Sequence, residues 1–254
     1  MEPELDWSLE PGAIQFIGGS SGGAGGPGAS RSRTEICTSL TGRTTSELSR
    51  KAAEAFSLGT DLVEFRIDLL KSPRFEDIRA DLSKFCRRSV FTVRSADEGG
   101  GFDGDEAERV ALLRRLAQLT PAYLDVELRT VEGNRDVLPR GRVRGIVSWH
   151  DMLGTGDGRR LRSIMKRAAS YGGLVKIATT ATSPADNLTI LSLYDGRAPA
   201  PIAFCMGTHG ILSRVMSMER GSPISYASLP DEPAAAGQLP LGLLLALRRR
   251  FGGA

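Results

Sequence analysis

Eight short runs of apolar and β-branched residues, separated by amphipathic stretches and polar loops, set the strongest limit on how this chain folds. They read as strands over Glu35–Leu40, Leu62–Ile67, Ser89–Arg94, Ala122–Glu127, Arg144–Trp149, Gly173–Ala178, Pro201–Cys205 and Pro223–Tyr226. Helical spacing fills several of the gaps. Thr45–Leu58 opens with Thr/Ser and Glu47 in capping positions and stops at Gly59. Asp105–Leu119 carries Val110, Leu112, Leu113, Leu116 and Leu119 on a helical repeat and ends before Pro121. Arg159–Ser170, Pro184–Tyr194 and Leu239–Arg250 repeat the pattern, the last with Pro240 in its first turn and arginines at its end. This alternation predicts a single (β/α)8 TIM barrel of the α/β class. The runner-up is an open doubly wound sheet, which wants a GxGxxG turn after the first strand. Ser39-Leu-Thr-Gly-Arg43 stands there instead.

The barrel accounts for residues 34–254. Residues 1–33 stand apart, because the Gly/Ser-rich stretch from Gly18 to Ser32 offers nothing to bury and reads as a flexible N-terminal extension. The opening Met-Glu-Pro-Glu lacks the basic and apolar regions of a secretory signal. No run approaches the about 18 apolar residues of a membrane helix. Three cysteines, Cys37, Cys86 and Cys205, show no CxxC spacing, so neither a disulfide framework nor a metal site is expected and a reducing cytoplasm fits. A formal net charge of +3 leaves no footprint for nucleic acid. A small anion remains open as a partner, since it needs only a few well-placed arginines.

In such a barrel the active site forms where strands end, at the C-terminal face. Charges are rare inside apolar strands unless paired or functional. The strand ends here carry Ser39, Glu64 with Arg66, Arg94 with Glu98, Asp125 with Glu127, His150, Lys176 and, just after the seventh strand, Arg214. Lys176 lies within Gly173-Leu-Val-Lys-Ile-Ala178 and is either half of a buried ion pair or a nucleophile. A desolvated amine beside cations can attack a ketone and form a Schiff base. His150 ends the preceding strand, so the two side chains can face one another across the barrel mouth. An imidazole there is the usual proton carrier near neutral pH. Glu64 and Arg66 share a strand face, as a salt bridge or as a clamp for a hydroxylated acid. The arginines around the mouth suit a carboxylate, which their planar fork binds through two bonds. His209, in Met206-Gly-Thr-His-Gly210, reads as a solvated turn residue before a helix.

The ordered set of segments resembles the type I 3-dehydroquinate dehydratases, the imine-forming class of the shikimate pathway. It runs through Ile36-Cys-Thr-Ser-Leu-Thr-Gly-Arg43, Val63-Glu-Phe-Arg-Ile-Asp68 and Phe91-Thr-Val-Arg-Ser-Ala-Asp-Glu98. Tyr123-Leu-Asp-Val-Glu127, Val147-Ser-Trp-His-Asp151, Val175-Lys-Ile-Ala178, Met206-Gly-Thr-His-Gly210 with Arg214, and Gly237-Gln238 continue it. The resemblance implies that Lys176 forms the Schiff base with 3-dehydroquinate and that His150 moves the protons. It implies that Glu98 orients His150. Ser39, Glu64, Arg66, Arg94, Arg214 and Gln238 would bind substrate, with Arg214 on the carboxylate. It implies syn elimination of water, no metal or organic cofactor, and a homodimer. One departure is Ala234-Ala-Ala-Gly-Gln238, where the family usually reads Ser- or Thr-Ala-Pro-Gly-Gln. The missing hydroxyl bond is worth about 1 kcal/mol. A stiffening proline is missing too, so a looser lid is expected. The competing readings are another lysine-imine lyase or aldolase, and a catalytically silent barrel kept as a binding or regulatory subunit.

Overall fold

A computed structural model describes residues 33–251 apart from 139–140, 196–198 and 231. The expected extension, save Arg33, therefore lies outside the described residues. Eight parallel strands alternate with helices: β1 Glu35–Leu40, α1 Thr45–Ser57, β2 Leu62–Arg66, α2 Phe75–Leu82, β3 Ser89–Thr92, α3 Glu106–Gln118, β4 Tyr123–Glu127 and α4 Leu128–Gly133. Then come β5 Arg144–Asp151, α5 Gly158–Ala169, β6 Leu174–Thr180, α6 Asp186–Leu191, β7 Ile202–Met206, α7 Ile211–Glu219 and β8 Ile224–Ser228. A two-residue strand, β9 Leu239–Pro240, precedes α8 Leu241–Phe251.

Each strand pairs in parallel with its neighbour in sequence from β1 to β7, and β1 also pairs with β8. The sheet thereby curls into the expected α/β barrel. Between β7 and β8 no ladder forms among the described residues. That seam is closed by side chains, with the Phe204 and Tyr226 rings 6.1 Å apart, and by the bond from Gly207 N to Ala236 O at 3.0 Å.

Strand parity explains why the barrel has a dry floor and a polar mouth. Successive side chains point to opposite faces, so inward residues recur every second position. Leu62 is followed inward by Glu64, Val90 by Thr92, Tyr123 by Asp125, Ile146 by Ser148 and His150, and Leu174 by Lys176. Cys37, Leu62, Val90, Tyr123, Ile146 and Ile224 belong to one buried apolar cluster. The alternate strand residues, among them Phe65, Phe91, Val126, Val147 and Ile177, join the larger cluster that includes helix residues Leu48, Leu113 and Leu161.

Helix starts follow the capping chemistry of the sequence. Thr44 accepts a bond from Glu47 N, and Asp105 and Glu108 cap one another's backbones at α3. Two short helices, α2 and α4, were not distinguished in the sequence. The last helix also begins later than the expected Leu239, because Leu239 and Pro240 pair with Ala227 and Ser228 as a ninth strand.

Candidate active site

The C-terminal ends of these strands surround a cavity of about 310 Å3. Ser39, Glu64, Arg66, Arg94, Glu98, His150, Lys176, Arg214 and Gln238 all line it. His209 does not; it is exposed, and its backbone carbonyl accepts a bond from Asn187 Nδ2 at 2.6 Å.

Lys176 is 4% exposed. Its Nζ lies 3.2 Å from Asp125 and 3.5 Å from Glu64, so the amine stands between carboxylates rather than among cations alone. Burial would raise both carboxyls, but Arg94 and Lys176 outweigh it at Asp125, and Lys176 and Arg66 at Glu64. Both stay below the ordinary range. Glu64 also accepts from Ser39 Oγ at 2.7 Å and Thr92 Oγ1 at 2.9 Å. The expected alternatives for Glu64 and Arg66 resolve into separate pairs, since Arg66 forks onto Asp68 at 2.9 and 2.7 Å.

His150 and Glu98 form the second unit. Glu98 Oε2 sits 2.8 Å from His150 Nδ1 and accepts the backbone N–H of His150 at 3.1 Å. Burial, reinforced by Arg94, Lys176 and Arg66, holds the imidazole well below its ordinary range, so it is neutral at pH 7. Burial pushes Glu98 up to about 8 against the pull of Arg94, with Glu127 and Asp125 adding to the rise. Arg94 is the hub beneath them. It donates to Asp125 and Ser148 at 2.8 Å each and reaches Glu98 at 3.3 Å and Glu127 at 3.5 Å.

Arg214 differs from the other arginines of the cavity. It is 4% exposed, yet among the described residues no carboxylate lies within ion-pair distance and its Nε has no partner. Its contacts are the Ala236 carbonyl at 3.3 Å and the Phe204 ring, 4.4 Å from Cζ to centroid. Burial draws the guanidinium down to about 10. A buried, unpaired guanidinium facing a cavity is a ready receptor for an anion.

The Ala234–Gln238 segment caps the cavity without needing a hydroxyl at its start. Gln238 holds it at both ends, donating to Ser39 Oγ at 3.1 Å and Ala227 O at 2.9 Å and accepting from Ala234 N at 2.9 Å. Gly237 has φ +70°, and a Cβ there would lie 2.3 Å from Gly207 O. Only glycine fits that approach.

The profile of the type I 3-dehydroquinases matches residues 36–249. The chain belongs to the type I 3-dehydroquinase family. Relatives named 3-dehydroquinate dehydratase include one from Thermococcus onnurineus, 39% identical over 194 residues, covering 75% of this chain and 87% of that protein. Another, from Methanococcus maripaludis, is 33% identical and covers 80% of this chain and 94% of that protein. The Pyrobaculum aerophilum relative is 38% identical, and the alignment spans 75% of this chain but only 63% of that longer protein. Among solved structures, the 3-dehydroquinate dehydratase of Geobacillus kaustophilus matches with a TM-score of 0.77 at 25% identity, covering 87% of this chain and 92% of that one. That of Aquifex aeolicus matches at 0.70 and 27%, covering 86% and 99%.

Three residues in or beneath this 3-dehydroquinase cavity carry no clear signal in the sequence: Phe204 and Tyr226 line it, and Asp125 bonds Lys176 and Arg94 from below. Asp125 was visible only as one of two acids on β4, Asp125 and Glu127. Phe204 and Tyr226 read as ordinary core, because an aromatic in an apolar strand carries no signal of the cation it faces.

Proposed function

We propose that this chain dehydrates 3-dehydroquinate to 3-dehydroshikimate through an imine on Lys176. The observation that carries the reading is one cavity holding a buried amine, a neutral imidazole braced by a carboxyl, and a buried arginine with no carboxylate partner among the described residues. Lys176 attacks the C3 ketone, and the carbonyl oxygen leaves as water. The iminium draws electrons from C2, whose proton His150 removes. The same imidazole returns a proton to the C1 hydroxyl as that oxygen departs as water, one group serving both positions on one face as a syn elimination requires. A further water then hydrolyses the product iminium to free 3-dehydroshikimate and the Lys176 amine. Arg214 receives the substrate carboxylate, and Glu98 orients His150 as a carboxylate does for an imidazole in other proton relays. Ser39, Glu64, Arg66, Arg94 and Gln238 bound the ring and its substituents. No metal or organic cofactor enters this scheme, because the lysine supplies the electron sink.

The test is an intact-mass measurement after borohydride is added to protein and 3-dehydroquinate. An adduct on the wild type that is missing from Lys176→Ala is the expected result. No adduct on folded wild type would remove the imine, and with it this function.

No described helix is long and apolar enough to cross a membrane. Three buried free cysteines support a reducing, cytoplasmic setting. The homodimer is supported by Leu188, 70% exposed, and Leu212, 51% exposed, on helices joined by the Asn187–Ser213 bond of 2.9 Å. Sedimentation velocity is expected to show a dimer that Leu188→Glu with Leu212→Glu dissociates; a monomeric wild type would refute it.

A further inference from the structure

The buried side-chain polar atoms without a hydrogen-bond partner among the described residues are Arg214 Nε and Tyr226 Oη. The substrate carboxylate accounts for the first. The second belongs to a residue that the chemistry above does not use, although it lines the same cavity. A buried hydroxyl with nothing to bond is unfavourable. What the structure does give Tyr226 is a contact through its ring.

That ring faces the nucleophile. Lys176 Nζ stands 4.1 Å from the centroid of Tyr226, well inside cation–π range. The ring is itself fixed, 4% exposed and packed at 6.1 Å and 50° against Phe204. Phe204 in turn lies under the Arg214 guanidinium. Two touching aromatics thus carry the two cations that would grip opposite ends of a keto acid.

The charge balance of imine formation shows what the ring adds to the carboxylates. An ammonium and a ketone give an iminium and one water. Two N–H protons leave with the carbonyl oxygen, one N–H stays, and the positive charge remains on the same nitrogen. Asp125 and Glu64 both lie within 3.5 Å of an ammonium that has three N–H donors. The iminium has one, so it cannot satisfy both. Both carboxylates still attract the charge through space, but a hydrogen bond is lost; the ring face makes no use of N–H, so its whole contact with the cation survives the change.

Resting on the imine reading above, we propose that Tyr226 is a positioning residue whose ring face holds the Lys176 nitrogen and carries its positive charge through the iminium stage. The test replaces residue 226 with phenylalanine and then with phenylalanines bearing successive ring fluorines, which weaken the face while keeping its shape. Tyr226→Phe, the reference for the series, is expected to unfold at a higher temperature than wild type, because it removes the unpartnered buried hydroxyl. Across the fluorinated series, kcat and the borohydride-trapped fraction are expected to fall together by about tenfold, with KM little changed. Each variant is compared by circular dichroism, so a folding defect is seen separately from loss of the cation contact. A flat series, with a wild-type adduct still trapped, overturns the role of Tyr226 alone; absence of the adduct in wild type overturns the imine and this assignment together. Loss of turnover in Tyr226→Phe would also overturn it, by assigning the work to the hydroxyl.

Discussion

A His150→Ala variant is expected to load 3-dehydroquinate onto Lys176 and stop there. The amine and its partners Asp125 and Glu64 are untouched by the change, so the iminium still forms and borohydride still traps it. Turnover is expected to drop by about a thousandfold, the middle-to-upper range for losing a positioned acid–base group that serves two proton transfers. The same unit predicts a pH profile. With Glu98 pushed up to about 8 and His150 held low, the pair keeps one proton near neutrality. That proton sits on the carboxyl, which donates to Nδ1 and leaves Nε2 protonated. Once it is lost, Nδ1–H donates to the carboxylate and Nε2 is free to take a proton. The logarithm of kcat/KM is therefore expected to climb with pH and level off above about 8. Glu98→Gln should abolish that step. A wild-type profile flat through this range, or a His150→Ala enzyme within tenfold of wild type, would remove His150 as the base.

The second large effect separates activity from stability. Arg214→Met is expected to weaken kcat/KM by about 30- to 5,000-fold, mainly through KM, since losing one side of a buried charge pair costs about 2–5 kcal/mol. The substrate carboxylate is present before and after the chemistry, so its binding is uniform and kcat should change far less. The free protein, by contrast, is expected to unfold at a higher temperature. In the wild type the guanidinium is buried with no carboxylate among the described residues to offset its desolvation, and methionine removes that penalty while filling much of the space. Calorimetry of the free protein and steady-state kinetics check the two halves. An unchanged KM would mean that the anion binds elsewhere.

Much of this architecture was readable in the chain. The eight strands lie within two or three residues of their expected bounds, because period-two burial between Gly, Pro and polar turns leaves little freedom of register. His150 and Lys176 stood out for the same reason, as polar residues on inward positions of adjacent strands. The short helices were harder. In α2 the apolar pattern shrinks to Phe75, Ile78 and Leu82, and α4 spans only Leu128–Gly133. Neither carries enough turns for a helical period to stand clear of the loops around it.

The amino-acid order by itself determined the barrel, its polar mouth and the family to which the chain belongs, since all three depend on short-range periodicity and the order of segments. What only the tertiary structure decided is how the charges are shared. Arg66, Arg94 and Arg214 look alike in the sequence, yet Asp68 takes the first and Asp125 with Glu98 the second, while the third is left for an anion. Tyr226 looks like core until Lys176, fifty residues away, is seen above its ring. Pairing of charges and rings depends on distances across the barrel of a few ångströms, and residues remote in sequence are brought to those distances only when the sheet closes.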